Sequence, residues 1–165
     1  MSQDTITRFY AAFAQLDAAT MEACYTPDAS FQDEAFTLEG RRQIEGMWRM
    51  LCEATKAKGQ DVWRLDASCI TAQGSRGTAH WEAHYRFSAT GRMVHDIIEA
   101  EFEFAPDGLI RRHRDRFPFW RWSRPACCSV GRPFCVARCA HRRLPSWRFS
   151  WHAKQAEAAA LKSPS

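Results

Sequence analysis

Apolar and polar residues alternate along three consecutive runs in the middle of the chain. A period of two places successive side chains on opposite faces of a strand, so each run predicts a strand with one covered face. The segments between the runs, Ala89-Thr90-Gly91 and Pro106-Asp107-Gly108, contain residues that favour turns. The pattern therefore predicts an antiparallel meander of three strands over residues 79–88, 93–104 and 109–119.

Upstream of the meander, the apolar spacing changes to three or four residues. Between Thr5 and Leu16 the apolar side chains form one stripe of a helix. Similar spacing predicts a short second helix that begins at Asp17 and ends before Pro27, because proline cannot continue the helical hydrogen-bond ladder. A third helix is predicted over residues 41–57.

Two further alternating segments, residues 29–33 and 61–71, predict additional strands. Helices that precede an antiparallel sheet are typical of α+β layer packing. A long twisted sheet folds around helices laid in its concavity. We therefore expect an α+β fold in which a conical, curved antiparallel sheet packs on three N-terminal helices.

The charge of the chain is divided unevenly. Of its 165 residues, 23 are Lys or Arg and 19 are Asp or Glu, for a net charge of +4. Eight basic residues and one acidic residue follow Ser123, so the tail is strongly basic and the body before it is mildly acidic. We expect two regions, a domain over residues 1–124 and a tail over residues 125–165.

The tail is rich in Cys, Arg and Trp. The cysteines between Cys127 and Cys139, with His141, suggest a zinc site, but they lack a C-x-x-C pair. Basic residues interleaved with aromatic ones suggest nucleic-acid binding, although such a tail is equally typical of a solvated segment. A third hypothesis fits the composition better: a frameshift near Ala126 that leaves the tail poorly ordered. Nucleic acid is therefore not the partner we expect.

The composition also predicts the compartment. No apolar run approaches the roughly 20 residues of a membrane span, and residues 1–8 lack the features of a signal peptide. We expect a cytoplasmic protein with no membrane partner and with reduced thiols. Cys24, Cys52 and Cys69 lie among apolar neighbours and are predicted to be small core residues.

Candidate chemistry appears on the third strand of the meander, where His113, Asp115 and Phe117 share one face. Burying polar groups beside aromatic ones costs free energy unless the groups have partners or a function. A paired imidazole and carboxylate are suited to general acid–base catalysis. The alternative is structural: Asp115 would bind a helix end or an arginine such as Arg86.

Four segments together resemble a known family. They are Arg8-Phe9-Tyr10-Ala11-Ala12-Phe13, residues 24–33, Leu38-Glu39-Gly40-Arg41-Arg42-Gln43-Ile44, and His113-Arg114-Asp115-Arg116-Phe117 with Trp120-Arg121-Trp122. In this order they resemble the SnoaL-like branch of the nuclear transport factor 2-like superfamily, which includes ketosteroid isomerases and limonene epoxide hydrolase. The resemblance covers Met1 to about Arg124. It implies a conical α+β barrel that often forms a homodimer through the outer sheet face.

The resemblance implies roles for particular residues. Asp33 occupies the place of the isomerase base, but Phe9 and Ala100 occupy the places of its two oxyanion donors and cannot donate a side-chain hydrogen bond. Asp115 occupies the place of the acid–base aspartate on the last strand of the hydrolases and cyclases. The Arg-x-Asp pair of the hydrolase is replaced by Trp81-Glu82-Ala83. The cyclase-like pattern is therefore the closest fit.

These observations predict a small-molecule pocket protein, an acid–base enzyme of the cyclase, isomerase or hydrolase type acting on a small apolar substrate. The alternative is a non-catalytic binding or accessory domain of the same fold. We expect no cofactor and no metal, because His80 and His84 lie four residues apart on an outward strand face. The predicted catalytic residues are Asp115, His113 and Asp33. The predicted substrate pocket consists of Phe9, Phe13, Trp48, Trp81, Tyr85, Ala100, Phe102 and Phe117.

Overall fold

The computed structural model describes residues 1–58, 60–86 and 91–117 of the chain. The predicted tail over residues 125–165 lies outside the described residues. The helices are α1 (Ser2–Ala14), α2 (Ala18–Glu22) and α3 (Arg41–Lys58), and the strands are β1 (Tyr25–Gln32), β2 (Thr37–Glu39), β3 (Arg64–Gln73), β4 (Arg76–Arg86), β5 (Met93–Phe104) and β6 (Ile110–Arg116).

The six strands form one curved sheet that does not close, in the order β2-β1-β6-β5-β4-β3. The predicted α+β fold is confirmed, and β3 to β6 form the expected antiparallel meander. The sheet is mixed, however, because β1 runs parallel to β6. No hairpin connects these two strands, since most of the domain separates them in sequence, so the antiparallel direction is not imposed on them.

The apolar stripe of α1 faces the sheet. Ile6 and Phe9 on this stripe are fully buried. The helix begins at Ser2 without a side-chain cap, and Asp4 instead forms an ion pair with the N-terminal amine. At the next helix, the Asp17 carboxylate accepts a hydrogen bond from the backbone N–H of Thr20, which is the usual N-cap arrangement.

β1 is longer than the alternation predicts. It begins at Tyr25 and continues through Pro27, whereas the spacing predicts that Tyr25 belongs to the second helix. The register of β1 against β6 shifts between Tyr25 and Ser30. Such an irregularity accommodates a proline, which has no N–H to give to the ladder.

Neighbouring atoms leave almost no space for a side chain at Gly77, near the start of β4. A Cβ at this position would lie 2.8 Å from the Thr71 carbonyl oxygen and 2.9 Å from Cδ1 of Ile6. Because a Cβ cannot lie this close to a backbone oxygen, the strand would have to shift to accept any residue larger than glycine.

The described cysteines are all unpaired. Cys24 and Cys52 are buried, as predicted, but Cys69 is exposed. Cys69 adopts a positive φ of 51° within the register shift of β3, where the strict alternation of faces is lost. Among the helices of the described ranges, none is long and apolar enough to cross a bilayer.

Candidate functional site

His113 on β6 lies inside a shell of aromatic rings. Its side chain is 1% exposed, and the ring centroids of Phe102, Phe31 and Phe9 lie 4.4, 5.1 and 5.6 Å from the imidazole centroid. The indole of Trp48 stacks on the imidazole at 6.2 Å. These residues come from α1, β1, α3 and β5, so every layer of the fold contributes to the environment of one histidine.

A chain of hydrogen bonds crosses this apolar interior. The Trp48 Nε1–H donates to the Tyr25 hydroxyl at 3.2 Å, and that hydroxyl lies 2.6 Å from Nδ1 of His113. The other imidazole nitrogen, Nε2, lies 3.0 Å from Oδ1 of Asp115. A longer contact of 3.5 Å joins the Trp81 Nε1–H to the same carboxylate oxygen.

In this series of hydrogen bonds, one assignment of hydrogens gives every donor an acceptor. Because the Tyr25 oxygen accepts from Trp48, its own hydrogen is available to Nδ1 of His113. The imidazole then carries its hydrogen on Nε2 and donates it to Asp115. Burial raises the pKa of Tyr25 well above its usual value, so the phenol keeps its hydrogen. The buried polar groups are therefore paired in one direction, from Trp48 towards Asp115.

Asp33 lies on the same face of the sheet as this pair. β1 is in parallel register with β6, with Phe31 opposite His113. Asp33 directly follows the last residue of β1 and is two residues beyond Phe31, as Asp115 is two residues beyond His113. It lies close enough to Asp115 for the charge of that carboxylate to raise its pKa.

The environment of Asp33 raises the pKa of its carboxyl group towards neutral pH. Burial raises its pKa to about 6, against the hydrogen bonds that its carboxylate accepts from the backbone N–H groups of Phe36 and Ala35. The negative charge of Asp115 contributes to this rise in the pKa, and His113 opposes it. A carboxyl with this pKa is suited to gain and lose a proton near pH 7.

Tyr10 is a member of the site that the sequence pattern did not reveal. Its side chain is 2% exposed, and its hydroxyl has no hydrogen-bond partner within the part of the chain that the structure describes. Burial, followed by the charge of Asp115, raises its pKa well above the usual value. The hydroxyl is therefore a protonated, unused donor in the field of Asp115.

Most of the predicted wall residues are buried and pack against one another. The Phe13 ring lies 5.0 Å from Trp48 and 5.6 Å from Trp81, and the Phe9 ring lies 5.5 Å from Trp48. Ala100 on β5 is paired with Asp115 across the ladder. The buried members are Phe9, Phe13, Trp48, Trp81, Ala100 and Phe102, whereas Tyr85 and Phe117 are half-buried.

Tyr85 has a partner that the sequence did not predict. Its hydroxyl donates to Oδ2 of Asp96 at 2.8 Å. Asp96 lies on the inner face of β5, where burial raises its pKa and the bond from Tyr85 lowers it. The alternation of β5, extended back from Ile98 to Val94, would have placed Asp96 on the inner face.

Within the described residues, the structural alternative for Asp115 does not involve an arginine, because the side chains that contact the carboxylate there are His113 and Trp81. Arg86 instead lies 3.9 Å from the Asp61 carboxylate and donates to the Gly91 carbonyl.

Exposure rises along the inner face, from 1% at His113 to 4% at Asp115 and 8% at Trp81. Asp33 and Tyr85 beyond them are half-buried. This end of the sheet is therefore the more accessible end of the candidate site. A separate groove of about 510 Å³ lies beside the start of α1 and contains none of the predicted pocket residues. It is lined by Met1, Asp4, Thr5, Arg8, Asp107 and Leu109.

Solved structures share this fold. A candidate polyketide cyclase from Xanthomonas campestris pv. campestris superposes with a TM-score of 0.59 at 20% identity, over 73% of this chain and 93% of that one. An LEH-like epoxide hydrolase from M. tuberculosis gives 0.56 at 19% identity, over 73% and 84%. An NTF2-like protein of unknown function from Burkholderia pseudomallei K96243 gives 0.63 at 16% identity, over 77% and 98%. At these identities the similarity shows the fold alone.

No curated protein matches the sequence. The model of the SnoaL-like domain does match it, over residues 6–113. This range includes α1 from Ile6 onward, the sheet up to the middle of β6, and His113 itself, and the matched part is more than half of the chain. The chain therefore belongs to the SnoaL-like domain family.

Proposed function

We propose that this domain is a general acid–base enzyme that acts on a small, largely apolar molecule carrying a carbonyl oxygen. One observation supports this most strongly. The buried Asp115 carboxylate, bonded to His113, lies on the same face as Asp33, whose pKa is raised to about 6. Two carboxyl groups that interact in a shared, desolvated environment are typical of proton-transfer sites.

Each residue of the site has a separate role in the proposed reaction. Asp33 in its ionised form removes a proton next to the substrate carbonyl and returns it elsewhere on the same molecule. Tyr10 donates its unused hydroxyl hydrogen to the developing oxyanion. The chain from Trp48 through Tyr25 and His113 fixes the orientation of Asp115, and the aromatic residues around it bind the apolar part of the substrate.

Within this class, ring closure or isomerisation is favoured over epoxide hydrolysis. The hydrolase carries an Arg-x-Asp pair at the place of Trp81-Glu82-Ala83, and Glu82 here lies on the outer face, where it contacts His95. It therefore cannot reach Asp115. The candidate polyketide cyclase among the structural neighbours is consistent with this preference. A small apolar molecule is the proposed partner, together with a second copy of the chain on the outer sheet face.

The second candidate function is ligand binding without catalysis. It is favoured by the close packing of Phe9, Phe13 and Trp48, which makes the centre of the site resemble an ordinary core. A binding domain of this kind would hold its ligand nearer the half-buried end, beside Asp33 and Tyr85.

An exchange assay distinguishes the two functions. A panel of cyclic ketones, including cyclohexanone and 1-tetralone, is incubated in D2O, and NMR follows the replacement of protons next to the carbonyl. The enzyme hypothesis predicts accelerated exchange that is lost in Asp33→Asn and strongly reduced in Asp115→Asn. The matched control Asp66→Asn removes an exposed carboxylate on β3, paired with Arg64, and should change nothing. Binding shifts without accelerated exchange would instead identify a binding domain.

A further inference from the structure

A second cluster of ionisable side chains lies on the outer face of the sheet. His84 on β4 and His95 on β5 are direct cross-strand partners. Their imidazole rings stack with centroids 4.0 Å apart and planes 13° apart. Glu82, two residues before His84 on the same face, places its Oε2 atom 2.7 Å from Nε2 of His95. Two imidazoles and a carboxylate thus converge on one point of the surface.

The ligand atoms of these three residues all lie within 4.8 Å of one another. With metal–ligand bonds of about 2.0–2.2 Å, the ligands of a tetrahedral zinc ion lie roughly 3.4 Å apart. The more distant ligand atoms must therefore approach by up to about 1.4 Å, and the Glu82 and His95 atoms, now 2.7 Å apart, must separate slightly. Rotation about the terminal torsions allows both changes, because these torsions have broad minima. Both partners reach the solvent, since the His95 side chain is 43% exposed and that of Glu82 is 38% exposed.

We propose that Glu82, His84 and His95 bind a divalent cation of the zinc class, with water completing the coordination. Imidazole nitrogen suits Zn²⁺, Co²⁺, Ni²⁺ and Cu²⁺, whereas Mg²⁺ and Ca²⁺ prefer oxygen ligands alone. The ion takes the place of the hydrogen now shared between Nε2 of His95 and the Glu82 carboxylate.

Neighbouring side chains hold the carboxylate in position. The second oxygen of Glu82, Oε1, lies 3.3 Å from Nε2 of His80, and Nδ1 of that imidazole lies 2.6 Å from Oε1 of Glu99. Outer contacts of this kind orient metal ligands. The site lies on the sheet face opposite Asp115, so it is independent of the proposed catalytic chemistry. The proposal departs from the expectation of no metal, because the third ligand, His95, comes from a different strand from His84.

The test uses the full chain without an affinity tag, stripped of metal by a chelator. Zn²⁺ binding is measured by calorimetry, and Co²⁺ binding by its visible absorption. We expect one equivalent to bind, and His84→Gln, His95→Gln and Glu82→Gln each to raise Kd by more than about 100-fold. His80→Gln should raise it by about tenfold, as for other outer-shell residues. Mg²⁺ should not bind.

The matched control is Glu101→Gln, which removes a carboxylate from the same face of β5 and leaves the three ligands intact. Its Kd should equal that of the wild type. Circular dichroism confirms that each variant is folded, and any two folded ligand variants suffice for the conclusion. The proposal is overturned if Zn²⁺ does not bind, or if the double variant His84→Gln/His95→Gln binds it unchanged. Unchanged binding with thiolate absorption in the Co²⁺ form would place the ion on cysteines instead.

Discussion

The imidazole of His113 contacts the carboxylate of Asp115 two residues further along the same strand, with 3.0 Å between Nε2 and Oδ1. Both side chains are almost fully buried. Removing one partner of such a pair leaves the other desolvated and unpaired, which costs more than the pair itself contributes. The loss of either side chain should therefore destabilise the fold, in addition to any effect on the candidate site.

Replacing His113 by alanine should destabilise the domain strongly. The change leaves the Tyr25 hydroxyl and Asp115 without their partner and opens a cavity inside the aromatic shell. We expect a loss of about 3–5 kcal/mol in the free energy of unfolding, measured by urea denaturation. His84→Ala on the outer face is the matched control, and it should change stability by less than about 1 kcal/mol in the presence of chelator. Equal effects of the two changes would contradict the description of the interior.

The two buried tyrosines should respond in opposite ways to loss of the hydroxyl. Tyr25→Phe leaves the Trp48 N–H and Nδ1 of His113 unpaired, so it should cost about 1–3 kcal/mol of stability. Tyr10→Phe removes a buried hydroxyl that has no partner among the described residues, so it should leave stability unchanged or increase it.

The same pair of variants separates stability from activity. If Tyr10 donates to the substrate oxygen, Tyr10→Phe should lower the rate of α-proton exchange about 10²–10³-fold while the protein remains as stable as the wild type. Thermal unfolding and the NMR exchange assay are run on the same samples. A Tyr10→Phe variant with full activity would remove this residue from the mechanism.

Stability should fall as the pH rises through the titration of Asp33. Its pKa is raised from 3.8 to about 6 in the folded protein, so the folded state binds the proton more tightly than the unfolded state does. The free energy of unfolding should therefore fall by up to about 3 kcal/mol between pH 4 and pH 6, relative to that of a protein without this group. Urea denaturation of the wild type and of Asp33→Asn across this range measures the difference, and parallel pH profiles would show that the pKa is not raised.

Gly77→Ala should destabilise the junction of α1 and the sheet. The added Cβ would lie 2.8 Å from the Thr71 carbonyl oxygen, so either the strand or the helix must shift. Gly74→Ala is the control, because it adopts a positive φ but has nothing within 4 Å of its Cβ. It should cost only the roughly 1–2 kcal/mol of a left-handed residue. A smaller loss of melting temperature for Gly77→Ala than for Gly74→Ala would contradict the packing.

The sequence was sufficient for the features that depend on periodicity within one element. The alternation along β5 predicted its limits, residues 93–104, and the spacing along β6 placed His113 and Asp115 on one buried face. These predictions hold because a pleated strand must alternate its side chains between two faces.

Features that depend on register between distant strands were not predictable in this way. Tyr25 reaches His113 only because β1 continues through Pro27, where the pattern predicted that a helix would end. His84 and His95 meet because β4 and β5 are paired at those positions, which spacing along one strand does not reveal. β2, with three residues and one buried side chain, is too short to show any alternation.

The central claim is that a carboxyl group poised near neutral pH lies beside Asp115. It is tested most directly by the pH titration of the Asp33 side-chain carboxyl, followed by its ¹³C chemical shift in the wild type and in Asp115→Asn. We predict a midpoint near pH 6 in the wild type and a lower midpoint in the variant, because the raising effect of the Asp115 charge is lost. A wild-type midpoint near the ordinary value of 3.8, unchanged in the variant, would contradict the claim.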